Sequence, residues 1–424
     1  MFRSPKPPLP PQPATSRMPS AVHALPDRAD GNGLAVARVM GRLRGAHPGP
    51  TLVCIGGLHG NEPAGLHALR RVLERLAPRA QAMRGDFVAL AGNRSALALG
   101  RRFVDRDLNR AWTDERLDRF RIHGQPTEVV EDREQVELLG AIESAVAEAR
   151  GPVFVLDLHT TSGMGGPFTS FGDTLPNRHL ASAIPVPMIL GLEELLDGTL
   201  TAFLGRHGLI AVALESGQHE EPRAVDRAEA GIFITVATVG LLPEALLPET
   251  AQARKLLARD AGHLPRATEL VYRHHIEPED GFVMDPGYRT FQPVRRGQDI
   301  ATDVRGRVRV ARDALLLMPL YQKLGQDGYF LIREFGPLWL KASFLLRRVG
   351  LDRIAHWLPG VGVDPAVPDG VVVDKRIARW YAPRLLHLLG FRKEEDRGTR
   401  LVMRRRLSAD ARYVVRSGAS VAHR

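Results

Sequence analysis

Cysteine is nearly absent from the chain. Cys54 is the one thiol among 424 residues, so no disulfide can close within the chain, and a metal site built from several thiolates is not expected. Cys54 stands inside an apolar run, the setting of a small buried hydrophobe and not of a reactive nucleophile. Long apolar stretches are missing too: none approaches the ~20 residues that a membrane-crossing helix needs. Residues 1–28, MFRSPKPPLPPQPATSRMPSAVHALPDR, lack the apolar core of a secretory signal and are rich in proline. They read as a disordered leader with polyproline character, and the cytoplasm is the expected location. The composition, 44% apolar and 25% charged, is that of a folded soluble protein long enough for two or three domains.

Most of the chain also lacks an excess of either charge. The formal net charge is +10, and the stretch from Lys341 to Arg424 carries all of it, with 18 Lys plus Arg against 8 Asp plus Glu. Basicity is therefore a property of the tail and says nothing about a site further up the chain. Within the tail, LWLKASFLLRRVGLDRIAHWL and ARWYAPRLLHLLGF interleave Trp, Leu and Phe with Arg. Helices of this kind can cap the protein's own surface, the reading preferred here, or lie on an anionic membrane. No recognition motif accompanies the charge, so nucleic acid is not an expected partner.

What is present is a set of apolar runs that each end in a chemically useful side chain. Thr51 to Ile55 lead into Gly56-Gly57, with His59 and Glu62 at the mouth of an expected helix over residues 64–77. On a helical turn an H-x-x-E pair shares one face and can grip one Zn²⁺. A third ligand is supplied by His159, after the run Val153 to Leu158 in FVLDLHTTS. A third run, Leu209 to Leu214, ends at Glu215 in IAVALESGQHE. Open α/β sheets gather their sites at such strand ends. An isolated H-x-x-E recurs by chance; the ordered set of glycine turn, H-x-x-E, D-L-H and strand-end Glu carries the reading. Asp157, two residues before His159, shares its face on a strand and can orient a ligating imidazole.

GGLHGNEPAG, RRFVDRDLNR, DLHTTS and ALESGQ, in that order, resemble the succinylglutamate desuccinylase/aspartoacylase family, a branch of the zinc carboxypeptidase-like hydrolases. The likeness covers residues 51–335. It implies an α/β fold: a mixed-sheet catalytic domain with one zinc on His59, Glu62 and His159, then a small β domain that shapes the pocket. It further implies catalytic roles for Glu215 and Arg102, and substrate-binding roles for Asn109, Arg110 and Arg206. Planar guanidinium groups suit carboxylates, although this chain is rich in arginine everywhere. Aspartoacylase has a substrate-contacting tyrosine just before a proline in its β domain. Here Met318 precedes Pro319, with Tyr288 and Tyr321 as substitutes, which puts an N-acetylaspartate preference in doubt.

The expected organisation is a leader (1–28), a zinc hydrolase domain (29–262), a small β domain (263–335) and a basic, helical extension (336–424). The expected activity is zinc-dependent hydrolysis of the amide bond of a small N-acyl amino acid or related carboxylate-bearing substrate. A metallocarboxypeptidase-type peptidase, a membrane-peripheral hydrolase acting on esters and a zinc-stabilised scaffold without activity are the alternatives. Expected partners are a small-molecule substrate and, through the extension, an anionic membrane surface, with a homo-oligomer left open.

Overall fold

The computed structural model describes residues 36–123, 128–365, 367, 370–378, 385–386 and 388–405. The leader expected over residues 1–28 lies outside them, as does half of ARWYAPRLLHLLGF. In chain order the first part runs β1 (Val39–Arg44), β2 (His47–Gly56), α1 (Ala64–Leu76), β3 (Arg84–Ala91), α2 (Arg94–Leu99), α3 (Asp114–His123) and α4 (Val130–Ala147). It continues through β4 (Val153–Thr161), β5 (Phe168–Ser170), α5 (Leu175–Ala183), β6 (Met188–Leu190), α6 (Leu192–Leu195), α7 (Leu200–Arg206) and β7 (Ile210–Gln218) to α8 (Pro222–Thr238) and α9 (Pro248–Ala261).

Strand β2 shows why this part is layered. Leu52 and Cys54 face a core shared with α1, α8 and α9, and Val53 and Ile55 face a second core with α4 and α7. A strand buried on both faces needs an unbroken apolar run, as the parallel strands β3, β2, β4 and β7 have. Helix α1 contributes Leu66, Leu69, Val72, Leu73 and Leu76, all buried and at helical spacing. Fully burying one such side chain contributes about 1.5–3 kcal/mol, so the two cores fix which edge of the sheet carries the loops. The helix packs so closely on β2 that a Cβ on Gly56 would meet the Gly65 backbone at 2.8 Å.

The following strands are β8 (Ala267–His275), β9 (Val283–Met284), β10 (Pro293–Val294), β11 (Asp299–Asp303), β12 (Gly306–Arg309), β13 (Ala314–Leu317) and β14 (Asp327–Glu334). Only β9, β11 and β12 form a small sheet of their own. The others extend the sheet of the first part, giving eleven strands in the order β1-β3-β2-β4-β7-β5-β6-β8-β14-β13-β10. The seam is a parallel pairing of β6 with β8, Met188 opposite Ala267.

The extension departs from the helical expectation. Helix α10 (Pro337–Arg348) and the 3₁₀ segment Leu351–Trp357 account for the first Trp/Leu/Arg stretch. Beyond them β15 (Val361–Val363), β16 (Gly370–Asp374), the short α11 (Lys375–Ala378), β17 (Phe391–Arg397) and β18 (Arg400–Arg405) build a four-stranded antiparallel sheet. Valine repeats in VGV and GVVVD favour strands, and Val361, Val371 and Val373 pack with Leu401 and Met403 in a separate core. The extension is anchored on Asp173, which pairs with Arg178 and with Arg347 of α10. Arg178 also donates to Ser343 at 3.1 Å, and the Asp173, Arg178 and Arg347 side chains are nearly inaccessible. Removing one partner from a buried ion cluster costs about 3–5 kcal/mol. Asp173→Ala should therefore loosen α10 from α5. Limited proteolysis should cut between residues 336 and 350 faster than in the parent protein, and an unchanged cleavage rate would show that the anchor lies elsewhere.

Candidate active site

The parallel strands β2, β4 and β7 point their C-terminal ends at one pocket. His59 and Glu62 are not on α1 as the H-x-x-E spacing suggests. They sit in the turn before it, where the Glu62 N–H donates to the His59 carbonyl at 3.2 Å. Gly60 between them has no room for a side chain, since a Cβ there would lie 2.1 Å from the Ala96 carbonyl carbon. His159 and Glu215 lie within β4 and β7, directly opposite one another in the parallel ladder.

The Glu62 carboxylate is the hub. Its Oε1 is 2.7 Å from His59 Nδ1, and its Oε2 is 3.1 Å from His159 Nδ1 and accepts from the Thr160 N–H at 2.9 Å. Each imidazole turns its other nitrogen to a second carboxylate: His59 Nε2 to Asp107 at 3.1 Å and His159 Nε2 to Asp157 at 2.9 Å. This carboxylate–imidazole order fixes the ring tautomer and aims Nδ1 inward, the support that metal-ligating histidines receive. One ligand atom each from His59, Glu62 and His159 lie within 4.8 Å of one another, the only such group among the described residues. Burial opposes charge on His159, but Asp157 and Glu62 outweigh it and hold the ring well above its ordinary value. A site that draws positive charge so strongly suits a cation.

The two glutamates diverge. Burial opposes ionisation of Glu62, but His59 and His159 override it and hold the carboxyl well below the usual range. Burial pushes Glu215 up to about 8, helped by Glu62 and Asp157 against His159 and Arg102. Glu215 lines the pocket, and its Oε2 has no protein partner. Two carboxylates pushed apart in this way are suited to different jobs.

Arg102 lines the pocket with both arms engaged. Its Nε and one terminal nitrogen donate to Asp107 at 3.1 and 2.9 Å, and the other lies 3.7 Å from Glu62. Burial lowers its pKa, but Asp107, Glu62 and Glu215 reverse the effect and raise it. Arg110 also lines the pocket, and its guanidinium meets Asp327 of β14 at 3.0 Å. Asn109 lines it too, although its Oδ1 already accepts from the Leu200 N–H at the start of α7. Arg206 is not brought to the site. It ends α7, donates to the Trp112 carbonyl at 3.2 Å and lies 3.7 Å from Asp114, because the helix carries its side chain away from the sheet edge. Tyr321 does not replace the missing tyrosine either: its hydroxyl donates to the Asp285 carbonyl and accepts from the Tyr288 N–H. Met318 lines the pocket instead, at a positive φ of 48°.

Four residues in or just behind the pocket wall escape a reading of the sequence. Asp107 orients both His59 and Arg102. Glu193 of α6 is buried against the hydroxyls of Thr199 and Thr201. His219 is held between Thr160 and Gln322. Asp327 engages Arg110 and Arg273. Only Asp107 leaves a local trace, an Asx-type turn in which its side chain caps the Asn109 N–H at 2.9 Å. Leu192, Leu196, Met318, Leu320 and Phe330 supply an apolar lining.

Residues 48–234 match the family model described as succinylglutamate desuccinylase/aspartoacylase catalytic domain. The chain is 42% identical over 113 residues to an N-acyl-aromatic-L-amino acid amidohydrolase (carboxylate-forming) of Homo sapiens, covering 26% of this chain and 33% of that protein. It is 31% identical over 191 residues to the protein of the same name from Xenopus tropicalis, covering 42% and 57%. The curated relatives are thus matched over 33% to 60% of their length. A succinylglutamate desuccinylase/aspartoacylase crystal structure from Rhodobacter sphaeroides superposes with a TM-score of 0.51 at 19% identity, covering 69% of this chain and 88% of that one, which shows the shared fold. The four motifs thus stand in their order on that fold within a stretch, residues 48–234, that matches the catalytic domain of succinylglutamate desuccinylases and aspartoacylases.

Proposed function

We propose that the chain is a zinc-dependent deacylase that hydrolyses the amide bond of a small N-acyl amino acid. The observation that carries this is the Glu62 carboxylate between two imidazoles, each braced by its own carboxylate, with the unpartnered oxygen of Glu215 at the same pocket. The donor set fits the group: His₂Glu is a hydrolytic zinc set that leaves a position open. His59, Glu62 and His159 would hold the ion. Bound there, Zn²⁺ would supply a Lewis acid beside the substrate carbonyl and acidify a water molecule.

The chain's own residues supply the rest. Glu215 takes the proton of the attacking water and delivers it to the leaving nitrogen, a role suited to a carboxyl whose affinity for protons burial has raised. Arg102, locked by Asp107, presents a fixed positive charge where the oxyanion develops. Arg110 grips the substrate carboxylate in competition with Asp327, and Asn109 braces the start of α7 beside it. The apolar lining supports a substrate with an apolar side chain, in keeping with relatives named for N-acyl-aromatic amino acids. The proposed compartment is the cytoplasm, where the buried thiol of Cys54 needs no partner.

A screen of N-acyl amino acids against short peptides, with zinc-loaded protein, tests the reading. Preferential release of free amino acid from N-acyl substrates is expected, and turnover of peptides alone would favour a peptidase. The metal assignment predicts about one zinc per chain. Asp157→Asn should weaken zinc binding by about 10- to 100-fold and His159→Ala more severely; elemental analysis and competition with a chelator read both. Glu215→Gln should retain zinc and lose about 10²- to 10⁴-fold in kcat. Arg102→Ala should lower kcat by about 10²- to 10³-fold, since its partner charge exists only during attack. Arg110→Lys should instead raise KM about tenfold with little change in kcat, because a remote carboxylate is held equally before and during reaction. If both arginine variants altered KM alone, Arg102 would be a binding residue.

A further inference from the structure

Large exposed apolar side chains concentrate in the extension, although the catalytic part is much longer. Leu338, Trp339, Phe344, Leu345 and Val349 on or just after α10, with Ile354 and Trp357 of the 3₁₀ segment, are all exposed. Leu338 is 79% exposed and Trp357 74%, among the highest values of any large apolar residue described. The inward side of these elements is already satisfied: Ser343 is buried against Arg178 and the Leu388 carbonyl, and Leu346, Leu351 and Ala355 pack into the core of the small antiparallel sheet. The outward apolar side chains are therefore not a failed core.

Charge identifies the occupant. Residues 337–348, PLWLKASFLLRR, contain no acid. Positions 338, 341, 345 and 348 follow helical spacing, so Lys341 and Arg348 share an exposed stripe with Leu338 and Leu345. Arg348 lies over the Phe344 ring, and exposed Arg353 follows in the next segment. Leucine with tryptophan inside a rim of lysine and arginine is the chemistry of an interfacial helix, whose apolar side enters the acyl boundary while cations meet anionic headgroups. A nucleic acid would use the cations and leave the leucines in water. No helix among the described residues is long and apolar enough to cross a bilayer, so the contact is peripheral.

We propose that the outward face of α10 and Leu351–Trp357 is a docking surface for an anionic phospholipid bilayer. Deacylation does not depend on this contact, because no residue of the face lines the pocket.

Co-sedimentation of the full chain with phosphatidylcholine vesicles, with and without phosphatidylserine, tests this. Binding should require phosphatidylserine and fall as salt is raised, and Trp339 and Trp357 should give a blue-shifted emission with vesicles. Lys341→Glu with Arg348→Glu should weaken partitioning at least about tenfold, each basic residue being worth about a factor of five. Trp339→Ala with Trp357→Ala should weaken it too, and hydrolysis of a soluble N-acyl amino acid should be unchanged in both double variants. Absence of binding would overturn the proposal, as would equal binding by the parent and both variants, which would move the contact to another basic segment. Concentration-dependent dimerisation abolished by the tryptophan substitutions would assign the face to a second copy of the chain. Binding to nucleic acid in preference to vesicles would overturn the proposal as well.

Discussion

The site depends on one buried carboxylate held between two imidazoles. Glu62 reaches His59 from the same turn and His159 from the neighbouring strand, so its position couples the end of β2 to β4. Each imidazole is held from behind by Asp107 or Asp157, and Asp107 also fixes Arg102. The surrounding backbone is arranged to permit this. Gly56 and Gly65 let α1 press on the strand end, and Gly60 lets the turn pass against the Ala96–Arg101 backbone. A side chain at any of these places would displace the turn that carries both His59 and Glu62, so the glycines of GGLHGNE are as necessary to the site as its ligands.

The second consequence of that geometry is electrostatic. Carboxylates outnumber cationic groups around the imidazoles, yet burial does not neutralise them all. Glu62 and Asp107 stay ionised because histidine or arginine contacts each directly. Glu215 has no such contact on Oε2 and drifts toward the protonated form. Environment, and not residue type, separates the carboxylate that can hold a cation from the one that can exchange a proton.

Much of this was legible in the sequence where signals are local. The buried parallel strands announce themselves as apolar runs, α1 as helical periodicity, and His59, Glu62, His159 and Glu215 as residues that end or follow such runs. What was not legible depends on pairings far apart in the chain. Arg110 and Asp327 are separated by 217 positions, and nothing near either residue announces the other. The resemblance placed Arg206 in the site, but at the end of α7 its side chain turns to Trp112 and Asp114 instead. The turn before α1 mimics helical spacing because a turn also brings residues three apart together. The tail misled differently: its first half has helical spacing and is helical, whereas short valine runs beyond it pair into a sheet that spacing alone does not reveal.

The seam between β6 and β8 has a mechanical meaning. The strands that bring Asp327 and Phe330 to the pocket belong to the same hydrogen-bonded ladder as the strands that bring His159 and Glu215. Two lobes joined by a linker can open like a jaw, but here such opening would have to tear main-chain bonds between Met188–Leu190 and Ala267–Glu269. The wall that carries His159 and Glu215 and the wall that carries Asp327 and Phe330 are thus one continuous plate. Changes on β14 can then retune what the cleft accepts without disturbing the imidazoles on the far side of the plate.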